Sequence, residues 1–200
     1  TALGADVEEY GTTYDDAYSR ARRIEQEYGK TYVHPVADAD VVAGQGTIGS
    51  EILEQVPHVK QIVVPLGGGG LVSGIAIAVK NINPSVRVVA VQPEGSCAYY
   101  KSIMENRLVE LDQLNTIADG LAVKKVEPYL LDLIKKWVDD VVLVREETIK
   151  EALKTMFLKG KLVVEGAGAV SLAAVMDDLV DCQEGTVIIA SGGNIDRSNL

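Results

Sequence analysis

Gln61-Ile62-Val63-Val64-Pro65-Leu66-Gly67-Gly68-Gly69-Gly70-Leu71 is the stretch on which the fold turns. Its first half is a short apolar run rich in β-branched residues, the pattern of a strand covered on both faces. Its second half is four successive glycines. From Leu71 to Asn81 an apolar helix follows, stopped by Asn83-Pro84. Val86 to Val91 then supplies a second near-continuous apolar strand. Four glycines remove every Cβ from the turn, so an anion can reach bare backbone N–H groups at the positive end of the helix dipole. A phosphate is the natural guest. Two nucleotide-binding motifs fail in the same stretch. The dinucleotide fingerprint wants a third glycine at position 72 or 73 and meets Val72 or Ser73. A P-loop counted from Gly69 reaches Gly74 but meets Ile75 where it requires lysine.

Outward from this unit the same alternation continues. Upstream, Asp6 to Tyr10 reads as a short strand ended by Gly11. Thr12 and Thr13 offer N-cap oxygens, and Asp15 and Asp16 put negative charge in the first turn of a helix. That helix carries Tyr14, Ala17, Ala21, Ile24 and Tyr28 on one face, and Gly29 closes it. Thr31 to His34 reads as a second strand. Val41 to Val56 reads as a helix behind Asp38 and Asp40, although three glycines between Ala43 and Gly49 each cost about 1 kcal/mol relative to alanine. Downstream come helices near Ala98 to Asn106 and Pro128 to Val138, then a strand from Val141 to Val144. Ile149, Ala152, Leu153, Met156 and Phe157 mark one face of a further helix. A small-residue helix from Ala167 to Met176 precedes the last strand, Thr186 to Ala190. Strands alternating with helices predict an α/β fold: an open, twisted, mostly parallel sheet with helices on both faces.

The bulk numbers bound the function. The net charge of −10 disfavours nucleic acid, whose binding depends on neutralising phosphates with Lys and Arg. No apolar run approaches the ~20 residues that span a bilayer, so no membrane partner is expected. Cys97 and Cys182 fit no metal or redox spacing, and His34 and His58 cannot build a metal site alone. Thiols of this kind suit a reducing compartment, the cytoplasm by default. The chain opens on Thr1-Ala2-Leu3-Gly4 without Met, which reads as a fragment or a processed product.

In an open α/β sheet, ligands bind where strand ends lead into helix N-termini. Besides the tetraglycine loop, three motifs stand at such ends. Ser191-Gly192-Gly193-Asn194-Ile195-Asp196 follows the last strand and puts a hydroxyl at its tip, suited to a flat ring. Thr116-Ile117-Ala118-Asp119-Gly120-Leu121-Ala122-Val123 is a polar, glycine-bearing loop, equally readable as a surface connection. In Val164-Glu165-Gly166-Ala167-Gly168-Ala169 a carboxylate sits among small apolar residues, where it is costly unless paired or facing a ligand; a helix N-terminal acid is the plain alternative.

Read in order, these motifs, with Gly44-Gln45-Gly46-Thr47-Ile48-Gly49 and Val91-Gln92-Pro93-Glu94, resemble the fold-type II pyridoxal-phosphate enzymes. Within them the chain is similar to the threonine/serine ammonia-lyases (dehydratases), and the likeness covers the C-terminal two-thirds of that architecture. The resemblance implies that Gly67, Gly68, Gly69, Gly70 and the N–H of Leu71 hold the cofactor phosphate. It implies that Ser191 meets the pyridine nitrogen, with Gly192 behind it and Glu165 at the ring edge. Gly120 and Leu121 would line the substrate pocket. The implied reaction removes the α-proton and β-hydroxyl of L-threonine or L-serine and yields a 2-oxo acid and ammonia. A serine racemase-like enzyme or a non-catalytic truncated module are the alternatives.

The family's lysine, in a Ser-x-Lys-x-Arg-Gly context, has no counterpart among the twelve lysines, so no catalytic residue is assigned within this chain. Relatives that bind a divalent cation do so through acids where this chain has Gln92 and, near it, Ala98, so no metal is expected. The implied division is residues 1–40 as a remnant of the smaller domain and 41–200 as an incomplete large cofactor-binding domain. The likeness further implies a homo-oligomer in amino-acid metabolism, with isoleucine biosynthesis as its setting.

Overall fold

The computed structural model describes residues 3–12 and 14–195. Thr13, one of the two expected cap residues, and Asp196 of the last motif lie outside the described residues. The chain divides into two compact units, Thr1–Pro35 and Val36–Leu200.

The first unit holds α1 (Tyr14–Tyr28). Asp16 accepts a hydrogen bond from the Thr12 N–H (3.0 Å) ahead of the helix, and Gly29 follows it with a φ of +63°. The two strands expected at Asp6–Tyr10 and Thr31–His34 do not form: both segments are irregular. Their alternation is a local signal, whereas a strand needs a neighbour for its N–H and C=O groups and a core for its apolar face. Val7 and Val33 are 67% and 59% exposed, so neither finds one.

The second unit begins at Val36, and its first helix opens on Asp38. Its side chain caps α2 (Ala39–Gln55) by accepting from the N–H groups of Asp40 and Val41. The core is a four-stranded parallel sheet in the order β3-β2-β1-β4. Its strands are β1 (Gln61–Pro65), β2 (Arg87–Pro93), β3 (Asp140–Val144) and β4 (Thr186–Ile188). All four coincide with expected strands to within a few residues.

Alternation along the strands sorts the core into two layers. Ile62, Val64, Val88 and Ala90 face one apolar cluster with α2, α3 (Gly70–Ile82), α4 (Ala98–Met104) and α5 (Pro128–Trp137). Val63, Val89 and Val91 face the other, with α6 (Glu146–Thr155) and α7 (Gly166–Met176). The chain therefore leaves β1 for β2 and β3 over one face and returns over the opposite face to place β4 on the outer side of β1. The direction of winding reverses between β1 and β4. Such a reversal parts the loops at the strand ends and opens a crevice there.

The helix with three glycines forms in full. Gly46 and Gly49 are buried where α2 crosses α3, and methyl groups on them would lie 3.2 Å from the Gly74 carbonyl oxygen and 3.0 Å from that of Ile75. Helix propensity is given up for a backbone-to-backbone approach of the two helices. Gly46 and Gly49 of the Gly44–Gly49 motif thus serve packing.

Candidate functional site

The loops after β1 and β4 stand side by side, because these strands pair in register from Gln61↔Thr186 to Val63↔Ile188. The Ile189 N–H donates to the Val63 carbonyl oxygen (3.0 Å), and the Leu66 N–H to that of Val91 (2.8 Å), so the ladders run past the strand ends. Gly67–Leu71 and Ser191–Gly192 accordingly emerge from the same edge of the sheet, about one strand spacing apart at their roots.

The glycine loop is enclosed on three sides. A methyl group on Gly67 would lie 3.0 Å from Leu121 Cα and 3.1 Å from the Gly120 carbonyl oxygen. One on Gly68 would lie 2.9 Å from the Val36 side chain, and one on Gly70 would lie 2.7 Å from the Val36 carbonyl oxygen. Gly69 faces Tyr99, Leu130 and Ile134 and has a φ of +98°, the left-handed region that favours glycine. The glycines are therefore required by close neighbours on those three sides, Val36 among them. The N–H groups from Gly67 to Val72 nevertheless donate to no oxygen among the described residues. The first turn of α3 has no side-chain cap and no acidic residue. This is an uncompensated array of N–H donors, and a phosphate group has the acceptor oxygens and charge to fit it.

The remaining motifs close around the same edge. Glu165 is half-buried at the N-cap of α7, its N–H donating to the Gly192 carbonyl oxygen (3.0 Å). Its carboxylate has no hydrogen-bond partner among the described residues; a methyl group on Gly120 would lie 3.2 Å from its Oε1, and one on Gly192 would collide with it. Gly168 likewise leaves room for the Gly192 backbone. Gly120 and Leu121 belong to a single turn of 3-10 helix, Asp119–Leu121. That loop is tied down by Glu146, which accepts from the Ile117 N–H (2.9 Å), and by Ser96, which donates to the Leu121 carbonyl oxygen (2.8 Å). Contacts thus run from Gly67 to Gly120 and Leu121, from Gly120 to Glu165, and from Glu165 to Gly192. Ser191 is exposed at the end of this series.

A cavity of about 720 Å³ lies beyond Glu165 and not over the glycine loop. Asp119, Glu165 and Asn194 border it on one side, and Lys150, Lys154 and Phe157 on the other. Sequence reasoning reads Phe157 only as part of an apolar helix face and does not pick out Lys150 or Lys154. The signal that could have found them is their spacing: with Leu153 and Phe157 they occupy i, i+3, i+4 and i+7, one turn-face away from the buried Ile149, Ala152 and Met156. After α6 the chain widens into a π turn, Met156–Gly160, a feature frequent beside functional sites, and Phe157 at its start is half exposed toward the cavity.

Gln92 is fully buried, and its Oε1 accepts from the Tyr100 N–H (2.9 Å). Among the described residues no three His, Cys, Asp or Glu side chains gather closely enough to hold a metal ion. Among the same residues no helix is long and apolar enough to cross a membrane.

Comparison with known proteins identifies the family. The family model described as pyridoxal-phosphate dependent enzyme matches residues 1–192. L-threonine ammonia-lyase of Thermotoga maritima is 45% identical over 194 residues, which are 97% of this chain and 48% of that protein. The processed form of threonine deaminase isoform 2 from Solanum lycopersicum superposes with a TM-score of 0.92 at 37% identity, over 98% of this chain and 55% of that one. Maize serine racemase gives 0.91 at 33% identity, over 98% and 61%. The chain spans about half the length of the curated relatives it matches. The matching model covers nearly every residue, the parallel sheet is that of these solved structures, and the bare N–H groups after β1 suit the phosphate of the cofactor the family is named for: the chain belongs to the pyridoxal-phosphate-dependent enzymes.

Proposed function

We propose that this chain is part of an ammonia-lyase (dehydratase) that converts L-threonine, or L-serine, to a 2-oxo acid and ammonia. The lysine that carries the cofactor is supplied from outside these 200 residues. The observation that supports the reading is the pairing of β1 with β4, which sets an uncompensated row of N–H donors beside a hydroxyl-tipped loop at a switch point of the sheet. When bound, pyridoxal phosphate supplies an electron sink for the carbanion left by loss of the α-proton.

The residues of this chain have three tasks. Gly67, Gly68, Gly69, Gly70 and Leu71 hold the phosphate by backbone N–H donation, aided by the α3 dipole. Ser191 offers its hydroxyl to the pyridine nitrogen, with Gly192 keeping the space behind it clear. A neutral hydroxyl leaves that nitrogen less positive than a carboxylate would, which moderates electron withdrawal. Glu165, held through its own N–H by Gly192, places an acceptor at the ring edge. Gly120 and Leu121, fixed by Glu146 and Ser96, form the wall against which a small amino acid lies.

The serine racemase-like alternative is favoured by one observation, the close superposition on the maize enzyme. Both readings share the cofactor site and differ in product. The setting we propose is cytoplasmic amino-acid metabolism, with isoleucine synthesis as its destination and a homo-oligomer as the working form. Titration of the chain with pyridoxal phosphate and with pyridoxal tests the site. Preference for the phosphorylated form by tenfold or more is expected, and equal binding refutes the assignment of residues 67–71. With L-threonine added, the 200 residues alone should form no 2-oxobutyrate. Turnover would show that the reactive lysine lies within this chain.

A further inference from the structure

Tyr99 is fully buried, the largest side chain with no exposed surface in the core. Its hydroxyl donates to the Gly68 carbonyl oxygen (2.7 Å) and accepts from the Glu127 N–H (3.4 Å). Burial lifts the phenol well above the ordinary tyrosine range, so the proton it donates stays in place at any physiological pH. We infer that Tyr99 is a positioning residue for the anion cradle: from the core side it fixes the Gly68–Gly69 peptide so that the Gly69 N–H faces the ligand.

Gly69 has φ 98° and ψ −13°, the dihedrals of the third residue of a type II turn. A type I turn follows the same path with the central peptide, here Gly68–Gly69, rotated by about half a revolution. Side chains ordinarily choose between the two. Neither Gly68 nor Gly69 has one, so the glycines that open the loop to an anion also leave this peptide free to turn over.

In a trans peptide the C=O and the following N–H point in opposite directions. A carbonyl held inward, against Tyr99, sends the Gly69 N–H outward, away from Leu130 and Ile134. The flipped peptide would present a carbonyl oxygen to a dianion and bury an N–H against apolar side chains. The Glu127 N–H at the N-cap of α5 adds a second bond in series, and hydrogen bonds in series polarise one another. Loop, α4 and α5 are thereby joined at one oxygen atom.

This rests on the reading of residues 67–71 as the phosphate holder, and the test separates the two. The full chain, uniformly labelled with nitrogen-15, is titrated with inorganic phosphate and with pyridoxal phosphate while the Gly69 amide resonance is followed. In the wild type that resonance moves on addition of either ligand. In Tyr99→Phe, phosphate and pyridoxal phosphate bind about tenfold more weakly, pyridoxal binding is unchanged, and the Gly69 resonance responds less than those of its neighbours. Ser102→Ala is the control. Ser102 is another buried hydroxyl on α4, donating to the Ala98 carbonyl oxygen and accepting from the Val109 N–H, with no bond to the loop. It should lower thermal stability and leave phosphate affinity alone.

Wild-type affinity in Tyr99→Phe, or an equal loss in Ser102→Ala, overturns the positioning role while the site stands. Absence of binding by the wild type overturns the site itself. Should Tyr99→Phe fail to fold, the wild-type titration decides: a Gly69 resonance unmoved by bound phosphate refutes the inference.

Discussion

Helices α2 and α3 pack against each other along a glycine-lined crossing and begin in opposite ways. At α2 the Asp38 carboxylate accepts from the Asp40 and Val41 N–H groups, and Asp40 adds charge in the first turn. The positive end of that helix is answered within the chain. At α3 the cap is Gly69, no side chain turns back, no acid stands in the first turn, and six successive N–H groups have no acceptor among the described residues. Both starts cost the same four orphan donors. One helix satisfies two of them locally and gains stability; the other leaves them open. Helices α4, α5 and α7 also start without a side-chain cap or a first-turn acid; what sets α3 apart is that its bare start continues a loop of four glycines, so the run of open N–H groups extends back to Gly67.

The most direct way to break the contrast is to give α3 what α2 has. Leu71→Asp places a carboxylate in the first turn of α3. Two like charges ~4 Å apart near a protein surface repel by roughly 4 kcal/mol, reduced by rotation of the side chain and by salt. Affinity for pyridoxal phosphate should fall about 100-fold, with pyridoxal affected far less, as measured by titration of each. Leu71 is half-buried against the core, so some stability is also lost. An unchanged preference for the phosphorylated form would mean the helix start is not what holds the anion.

The reverse change sharpens the same contrast. Asp38→Ala removes the α2 cap at a cost of about 1 kcal/mol, which for a domain of this size lowers Tm by about 2–4 °C. Phosphate affinity should not move, since α2 contributes no N–H to the site. A parallel loss of affinity would show that the two helix starts are coupled through their crossing, and that stability and binding are not separable here.

How far all this was legible in the sequence depends on where each signal resides. The four strands and the glycine loop were readable because burial on both faces and a run of four glycines leave marks on consecutive residues. The two strands expected near Asp6 and Thr31 were not, because pairing is decided by what lies opposite and no short window contains that information. Gly44, Gly46 and Gly49 stood out as anomalies, yet only the crossing of α2 and α3 explains the last two, and Gly44 meets nothing there. The reasons for individual loop glycines were equally hidden: Val36 against Gly68 and Gly70, and Tyr99 against Gly69, are contacts between segments about thirty residues apart. Asp119, Lys150 and Lys154 could be seen as charged residues and not as walls of a cavity, since two faces of α6 share overlapping periodicities.

Helix α6 stands between the two cases, and it yields the smallest expected effect. Its first turn carries Glu146 and Glu147 without a side-chain cap, while Arg145 just ahead of it reaches Asp177, which follows α7. The Asp177 side chain is only 7% exposed and also accepts from the Thr148 hydroxyl (2.9 Å). The hydrogen bond from the Arg145 guanidinium is the largest influence on it and holds its carboxyl below the ordinary aspartate value of 3.8; burial pulls the other way, and Thr148 adds to the lowering. A carboxyl depressed in the folded state stabilises the fold fully above its unfolded value, and the contribution is lost as pH falls through the folded value. Asp177→Asn keeps an acceptor for Thr148 and removes the charge, so the loss should be about 0.5–1 kcal/mol, the partner being largely in solvent. Urea unfolding of both proteins should show a gap that is constant from about pH 8 to about pH 5 and closes below 3.8. A gap that persists in acid would mean that Asp177 acts through shape and not through charge. In that case α6 would be held at its start by packing alone.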